Sequence, residues 1–102
     1  MARFPIRHFP EAVDELEEAV SWYDAQSPAA AEKFRLAVRR TLASIAATPK
    51  LWAADRQGIR EVLIRPFSFS VVYQIGKGAI QIIAFAHTSR RQGYWRERLK
   101  NR

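Results

Sequence analysis

The spacing of hydrophobic positions predicts that the first half of the chain is helical. From Pro10 to Gln26, apolar residues recur every three or four positions, as they do on one face of a helix. These residues are Val13, Leu16, Val20 and Tyr23. Pro10 suits the first turn of a helix, and the acidic residues that follow it suit the positive end of the helix dipole.

A second apolar stripe of the same period follows the break at Ser27-Pro28 and consists of Phe34, Val38, Leu42 and Ile45. We expect this helix to end near Thr48, because Pro49 disfavours helical geometry in the residue before it. Serine can cap a helix and proline can open one, so the break is short. Two helices joined in this way are predicted to form an antiparallel hairpin.

The second half of the chain has the pattern of strands. After a loop at residues 50–58, we predict strands at Ile59–Arg65, Phe67–Ile75 and Ala79–His87, and the turn Gly76-Lys77-Gly78 joins the last two. A further edge strand is predicted before the helices, at Arg3–His8. The tail, residues 88–102, is basic and is expected to be a short helix or disordered.

The fold class that follows is α+β, within one domain that spans residues 1–102. Its order is an N-terminal strand, an antiparallel helical hairpin, an antiparallel three-stranded meander forming one twisted sheet, and a basic C-terminal tail.

The length of the last hairpin loop decides which face of the sheet His87 occupies. A two-residue loop would place His87 with Ser68 and Ser70 on the more polar face, whereas a three-residue loop would reverse this, since a one-residue slip exchanges the two faces. We expect the two-residue loop.

Charge is distributed unevenly along the chain. The net charge is +7, and residues 1–32 contain seven acidic and two basic residues, whereas residues 33–102 contain three acidic and fifteen basic ones. An excess of this size indicates an anionic partner, such as nucleic acid, a ribosome or an acidic protein, bound by the later part of the chain. A solubilising surface charge is the alternative.

The chain lacks cysteine, which excludes disulfides and thiolate metal sites and fits a reducing cytoplasm. His8 and His87 are far apart in sequence, and we expect neither a metal nor another cofactor. No apolar run approaches the roughly 20 residues of a membrane-spanning helix.

Several segments, in this order, make the chain resemble toxins of the RelE/ParE superfamily. They are Ser21-Trp22-Tyr23, Ala31-Glu32-Lys33-Phe34, Thr48-Pro49, Ile59-Arg60-Glu61-Val62, Arg65-Pro66-Phe67-Ser68-Phe69, Val72-Tyr73, and a final run with His87, Arg90-Arg91 and Tyr94-Trp95. In one place, Pro66-Phe67, the order of proline and phenylalanine is the reverse of the usual one.

The resemblance implies a helical hairpin packed on a twisted sheet, and the toxin component of a type II toxin–antitoxin module. It also implies a cognate antitoxin whose toxin-binding segment is often acidic, in agreement with the positive charge. Trp22 and Tyr23 are candidates for the antitoxin-binding groove, with a purely structural core role as the alternative.

The family divides by target. RelE-like members cleave messenger RNA on the ribosome, while ParE-like members inhibit DNA gyrase without chemistry of their own. Cleavage needs a base, an acid and cations around the phosphate, and the candidates are His87, Arg60, Arg90 and Tyr94. We expect Arg65, Arg91, Trp95 and Arg96 to bind the target.

Each candidate has a structural alternative: ion pairing for Arg60, solvation for Arg65, a plain hydrogen bond for His87, and packing of the tail for Tyr94 and Trp95. Only four lysines occur, and no lysine cluster precedes the second strand of the meander. The RelE-like branch relies on such a cluster, so the gyrase target is favoured. An inactive, antitoxin-binding relative is the third hypothesis.

Overall fold

Two helices and a four-stranded sheet account for most of the chain. The structure, a computed structural model, describes residues 4–100 and residue 102. The elements in chain order are β1 (Ile6–His8), α1 (Pro10–Gln26), α2 (Pro28–Ala47), β2 (Ile59–Leu63), β3 (Phe69–Gly76), β4 (Ala79–His87) and a C-terminal 3-10 helix (Tyr94–Leu99). The predicted α+β order is confirmed, although Arg3 of the predicted first strand lies outside the described residues.

The helical hairpin begins and ends where the sequence predicts. The side chain of Ser27 caps α2 by accepting a hydrogen bond of 3.0 Å from the Ala30 N–H, and Pro28 occupies the first turn. Of the apolar face predicted for α1, Leu16, Val20 and Tyr23 pack against the core, and only Val13 does not. Ala12 and Ala19 are the buried residues of this helix, whereas Val13 is 39% exposed. Alanines on this face allow α1 to lie close to α2 and β4, the elements against which it packs.

The strand order in the sheet is β1-β4-β3-β2. β2, β3 and β4 form the predicted antiparallel meander, and β1 lies at one edge, parallel to β4. β2 and β4 both run antiparallel to β3, so their carboxyl ends lie at the same end of the sheet. β1 pairs only with residues 80–82, and the second half of β4 extends beyond it.

A β-bulge in the last hairpin overturns one prediction. The loop has two residues, as expected, because Gly76 pairs with Ala79. The register then shifts between Val72 and Tyr73, where β4 contains one extra residue, and Phe69 pairs with His87. His87 therefore shares a face with Phe69, and its predicted position beside Ser68 and Ser70 is wrong. The bulge shifts the register by one residue, so every residue of β4 beyond it lies on the face opposite to the predicted one.

Aromatic side chains join the helical hairpin to the sheet. Phe34 of α2 is fully buried, and its ring lies 4.8 Å from Tyr23, 5.1 Å from Phe67 and 5.5 Å from Phe69, measured between centroids. These separations are typical of stabilising aromatic pairs. The cluster fixes the carboxyl-terminal part of α1 above the end of the sheet where β3 begins.

The basic tail is ordered against the body of the protein. It forms the 3-10 helix, which starts after Gly93 in the left-handed conformation (φ 80°). Trp95 in this helix is only 2% exposed and belongs to the hydrophobic core. Of the two alternatives for the tail, a short helix is therefore the correct one; Asn101 lies outside the described residues.

Candidate functional site

A groove of about 620 Å³ lies between α1 and the second half of β4. We call it the α1–β4 groove. Its lining includes Ala19, Trp22 and Tyr23 from α1, Phe69 from β3, Phe85 and His87 from β4, and Arg90 from the loop that follows. The groove combines aromatic side chains with charged ones, which are Arg90 and the carboxylates of Glu15 and Glu18, and such a mixture is usual for binding sites.

Trp22 is the most prominent side chain of this groove. It is 60% exposed, and its ring meets the Tyr23 ring edge-on at 5.0 Å. Tyr23 is half-buried because its other contacts are with the aromatic cluster beneath α1. The two candidate antitoxin-binding residues thus lie together in one groove. Trp22 has most of its surface free, whereas Tyr23 also serves the core.

His87 lies at the far end of the groove, where β4 stops. Its ring stands edge-on to Phe69 at 5.0 Å. The Ser89 N–H donates to Nδ1 of His87 over 3.0 Å, and the Ser89 hydroxyl lies 2.7 Å from the same nitrogen. Because Nδ1 accepts the backbone bond, the geometry favours the tautomer with its proton on Nε2.

Glu15 is the centre of a cluster beside the groove. Its carboxylate accepts from the Phe85 N–H at 3.1 Å, from the Tyr94 hydroxyl, and from both terminal nitrogens of Arg98 at 2.8 Å. The Glu15 and Arg98 side chains are only 13% and 15% exposed. Arg98 also donates to the carbonyl of Ile83 at 3.0 Å. One ion pair therefore joins α1, β4 and the tail.

The Tyr94 hydroxyl belongs to the same cluster, which changes its pKa. Burial, followed by the hydrogen bond to Glu15, raises the pKa of the Tyr94 hydroxyl to about 12. The Arg90 guanidinium lies over the Tyr94 ring, 3.8 Å from its centroid. Tyr94 is thus protonated and already engaged, and Arg90 is held above it at the end of the groove.

We expect stability to fall as the pH rises from about 10 towards 12. Below about pH 10 the Tyr94 hydroxyl is protonated in both the folded and the unfolded chain, so the contribution of Tyr94 to stability is fully present. Above that pH the unfolded chain releases the proton, while the folded chain keeps it until the pH reaches the folded pKa of about 12. Urea unfolding at several pH values should show this loss relative to Tyr94→Phe. Parallel pH profiles of the two proteins would contradict it.

Arg60 is not brought together with the other candidate catalytic residues. It pairs with Tyr73 across the sheet, whereas His87 pairs with Phe69, four residues away along β3, or about 13 Å. Its Nη1 donates to the carbonyls of Lys50 (3.3 Å) and Trp52. The guanidinium therefore holds the loop after α2. His87, Arg90 and Tyr94 do lie near one another, at the end of β4.

The four candidate target-binding residues occupy two places. Arg65 and Arg91 are exposed at the end of the sheet where β2 and β4 stop. Arg96 contacts Asp55 at 2.8 Å and lies over the Trp95 ring at 4.6 Å. This hydrogen bond from Arg96 holds the pKa of the Asp55 carboxyl below its usual range. Trp95 is buried, so it packs the tail against the body, the alternative role considered for it.

Two important residues, Glu15 and Arg98, are not among the candidates that the sequence suggests. Glu15 looks like one of several acids on the outer face of α1, and Arg98 like one of several bases in the tail. The only sequence signal is that the acid-rich first helix and the basic tail have opposite charge. That signal cannot select which acid meets which base.

Among residues 4–100 and 102, no helix is long and apolar enough to cross a membrane. Within the same residues, no three histidine or carboxylate side chains converge as metal ligands would.

Comparison with known proteins identifies the family. The sequence model of the family described as "ParE toxin of type II toxin-antitoxin system, parDE" matches residues 6–92. No curated protein matches the sequence. A solved structure, described as the chromosomal ParDE toxin–antitoxin system from P. aeruginosa, has a similar fold, with a TM-score of 0.72 and 16% sequence identity. The similarity covers 84% of this chain and 97% of that one. From the family match, which spans most of the chain, we conclude that the protein belongs to the ParE toxin family of type II toxin–antitoxin systems.

Proposed function

We propose that this ParE-type toxin acts in the cytoplasm by binding and inhibiting DNA gyrase, without a chemical reaction of its own. The observation that carries the proposal is the state of two of the four candidate catalytic side chains, Arg60 and Tyr94. Arg60 is bonded to loop carbonyls at a distance from His87, and the Tyr94 hydroxyl is bonded to Glu15 with its pKa raised to about 12.

Cleavage of RNA needs a group that gains or loses a proton near neutral pH and cations placed around one phosphate. Tyr94 does not meet the first requirement, because its proton is retained far above neutral pH. Of the four candidates only His87 is then left for proton transfer, whereas cleavage needs both a base and an acid. Arg60 does not contribute to the second requirement, because its donors are directed to the chain itself, which leaves Arg90 of the two arginines among the catalytic candidates.

A binding inhibitor needs neither proton transfer nor cations around a phosphate. It needs exposed groups that contact gyrase or the DNA that gyrase holds. Arg65 and Arg91 are exposed, and so is Arg96, although it is also paired with Asp55.

Purified toxin is expected to abolish supercoiling of relaxed plasmid by gyrase when it is in molar excess. Relaxation of the same plasmid by a type I topoisomerase should not change, which controls for general effects of a basic protein on DNA. Undiminished supercoiling at toxin excess would count against the gyrase target.

A parallel assay with ribosome-bound message separates the other hypotheses. Cleavage by the wild-type toxin that disappears in His87→Ala would establish the endoribonuclease instead. Unimpaired growth on expression without an antitoxin, together with negative results in both assays, would identify an inactive relative.

We further propose that a segment of the cognate antitoxin occupies the α1–β4 groove and neutralises the toxin. The aromatic floor of the groove suits apolar side chains, and Arg90 at its end suits a carboxylate. Trp22 offers the largest exposed aromatic surface there. Aromatic residues of this kind commonly dominate the energetics of interfaces.

Trp22→Ala is therefore expected to weaken antitoxin binding about 30-fold or more, the loss that corresponds to roughly 2 kcal/mol at an interface hot spot. Calorimetric titration with the purified antitoxin measures it. Val13→Ala is the matched control, because Val13 is an exposed apolar residue of the same helix that does not line the groove. Equal affinities of the Trp22 variant and the wild type would place the antitoxin elsewhere.

A further inference from the structure

Three arginines lie at the end of the sheet where β2 and β4 stop. Arg65 lies in the loop after β2, and Arg90 and Arg91 lie in the loop after β4. We call the surface formed by these two loops the basic end. The loops touch, because the Thr88 N–H donates to the carbonyl of Ser68 over 2.9 Å. β2 and β4 are separated only by β3, so the two loops start roughly 10 Å apart, two strand separations.

The charge of the basic end is poorly compensated. No acidic residue occurs from Val62 to Arg96, a stretch that contains the whole of the basic end. Among the ion pairs of the described residues, none involves Arg65, Arg90 or Arg91. One cleft beside these loops contains the carboxylate of Glu61, which accepts a hydrogen bond of 2.7 Å from the Gln92 amide. The α1–β4 groove, which Arg90 also lines, contains the carboxylates of Glu18 and of Glu15, and Glu15 is paired with Arg98. The three guanidinium groups are therefore available to an external anion.

The composition of the loops distinguishes between kinds of anionic partner. Eight residues in 65–68 and 88–92 are exposed, and seven of them have polar side chains, Pro66 being the exception. A protein partner is normally anchored by an apolar centre in the interface, which this surface does not offer. Nucleic-acid backbones are instead bound by arginine, serine and threonine side chains, all of which are present here.

We propose that the basic end binds the phosphate backbone of double-stranded DNA. Duplex DNA carries one charge per about 1.7 Å of its axis when both strands are counted, so a length of about 10 Å contains roughly six phosphates, about three on each strand, enough for one contact from each arginine. The biological role of this DNA binding rests on the proposed gyrase target, because the toxin would contact both gyrase and the DNA that gyrase holds.

The test uses toxin and DNA alone, so its outcome does not depend on gyrase. Fluorescence anisotropy with a labelled 20-base-pair duplex measures affinity at several salt concentrations. Three phosphate contacts predict a slope of about −2.7 for log K against log [salt], which is a loss of about 40-fold between 50 and 200 mM salt. Replacing Arg65, Arg90 and Arg91 by glutamine is expected to remove this slope.

The control variant removes the same charge from the opposite end of the sheet. Lys50, Arg56 and Lys77 are exposed and lie before β2 or in the turn before β4. Their replacement by glutamine should leave most of the binding and its salt slope intact. Arg90 contacts the Tyr94 ring, so its replacement also disturbs the cluster around Glu15. A second variant, Arg65→Gln with Arg91→Gln, leaves that cluster unchanged and should lose about two thirds of the salt slope.

Three results would overturn the inference. The first is no binding of the duplex at 50 mM salt, and the second is an equal loss of affinity in the two triple variants. The third is that a polyglutamate peptide competes for the toxin as well as unlabelled duplex does. The last result would assign the basic end to an acidic protein. Gyrase inhibition is measured separately on the same variants, so a toxin that inhibits gyrase without binding DNA removes this inference and leaves the proposed function standing.

Discussion

Replacing Glu15 by leucine is expected to lower the free energy of unfolding by about 3–5 kcal/mol, the usual result of removing one partner of a buried ion pair. Arg98 would then be left nearly buried without its counter-charge, since its side chain is only 15% exposed. The Phe85 N–H and the Tyr94 hydroxyl would also lose their acceptor. Few single side chains of this protein hold so many elements together.

Chemical denaturation of Glu15→Leu measures the loss, with Glu17→Leu as the control on the exposed face of the same helix. Adding Arg98→Met to Glu15→Leu should restore a substantial part of the stability, because the double variant no longer buries the Arg98 charge without a partner. If the Glu15 and Glu17 variants were equally stable, the ion pair would contribute nothing to the fold.

Trp95→Ala is expected to cost about 3–5 kcal/mol of stability, the range found when a large aromatic side chain is removed from a core. Trp95 is 2% exposed and lies among the core residues, although it belongs to a tail that the sequence alone leaves open to disorder. The expected loss therefore tests whether the tail is an integral part of the fold.

Trp22→Ala is the matched control for this prediction, because it makes the same chemical change at a side chain that is 60% exposed. Surface substitutions of this kind usually change stability by less than about 0.5 kcal/mol. Urea unfolding of the two variants and the wild type gives the comparison. Similar midpoints for both variants would mean that the tail does not pack on the body in solution.

Local signals predict the order and type of the elements well. Ser27 and Pro28 mark the break between the helices, and both take the capping and first-turn positions expected of them. The turn at residues 76–78 likewise has the expected two-residue loop. Such features depend on neighbours within a few positions of the chain, which is why a single sequence contains enough information to find them.

The register of the last hairpin could not be obtained in this way. Residues 82–86 are all apolar, so no alternation in β4 reveals an extra residue. The bulge is fixed by packing on both faces of the strand, where Ile82, Ile83 and Ala84 are all fully buried. The sequence pattern was correct near the turn and failed beyond the bulge, where His87 lies.

The residues of the candidate site were predictable from the sequence, but their contacts were not. Trp22, Tyr23, His87 and Arg90 were selected by residue type and position, and the structure places them along one groove. The partners of Arg60 and the ion pair of Glu15 with Arg98, 83 residues apart, depend on tertiary contacts that no local pattern records. Which of the exposed arginines contact the target remains a prediction for the assays described above.

The short length of β1 has a consequence for the behaviour of the toxin at high concentration. An uncovered strand edge is a template on which a second chain can add a strand and begin to aggregate. Beyond residue 82, where β1 ends, the side chains of Glu15 and Arg98 take the hydrogen bonds of Phe85 and Ile83 on β4. Two toxin molecules would have to open this ion pair before their β4 edges could join, so Glu15 protects the protein from self-association as well as from unfolding.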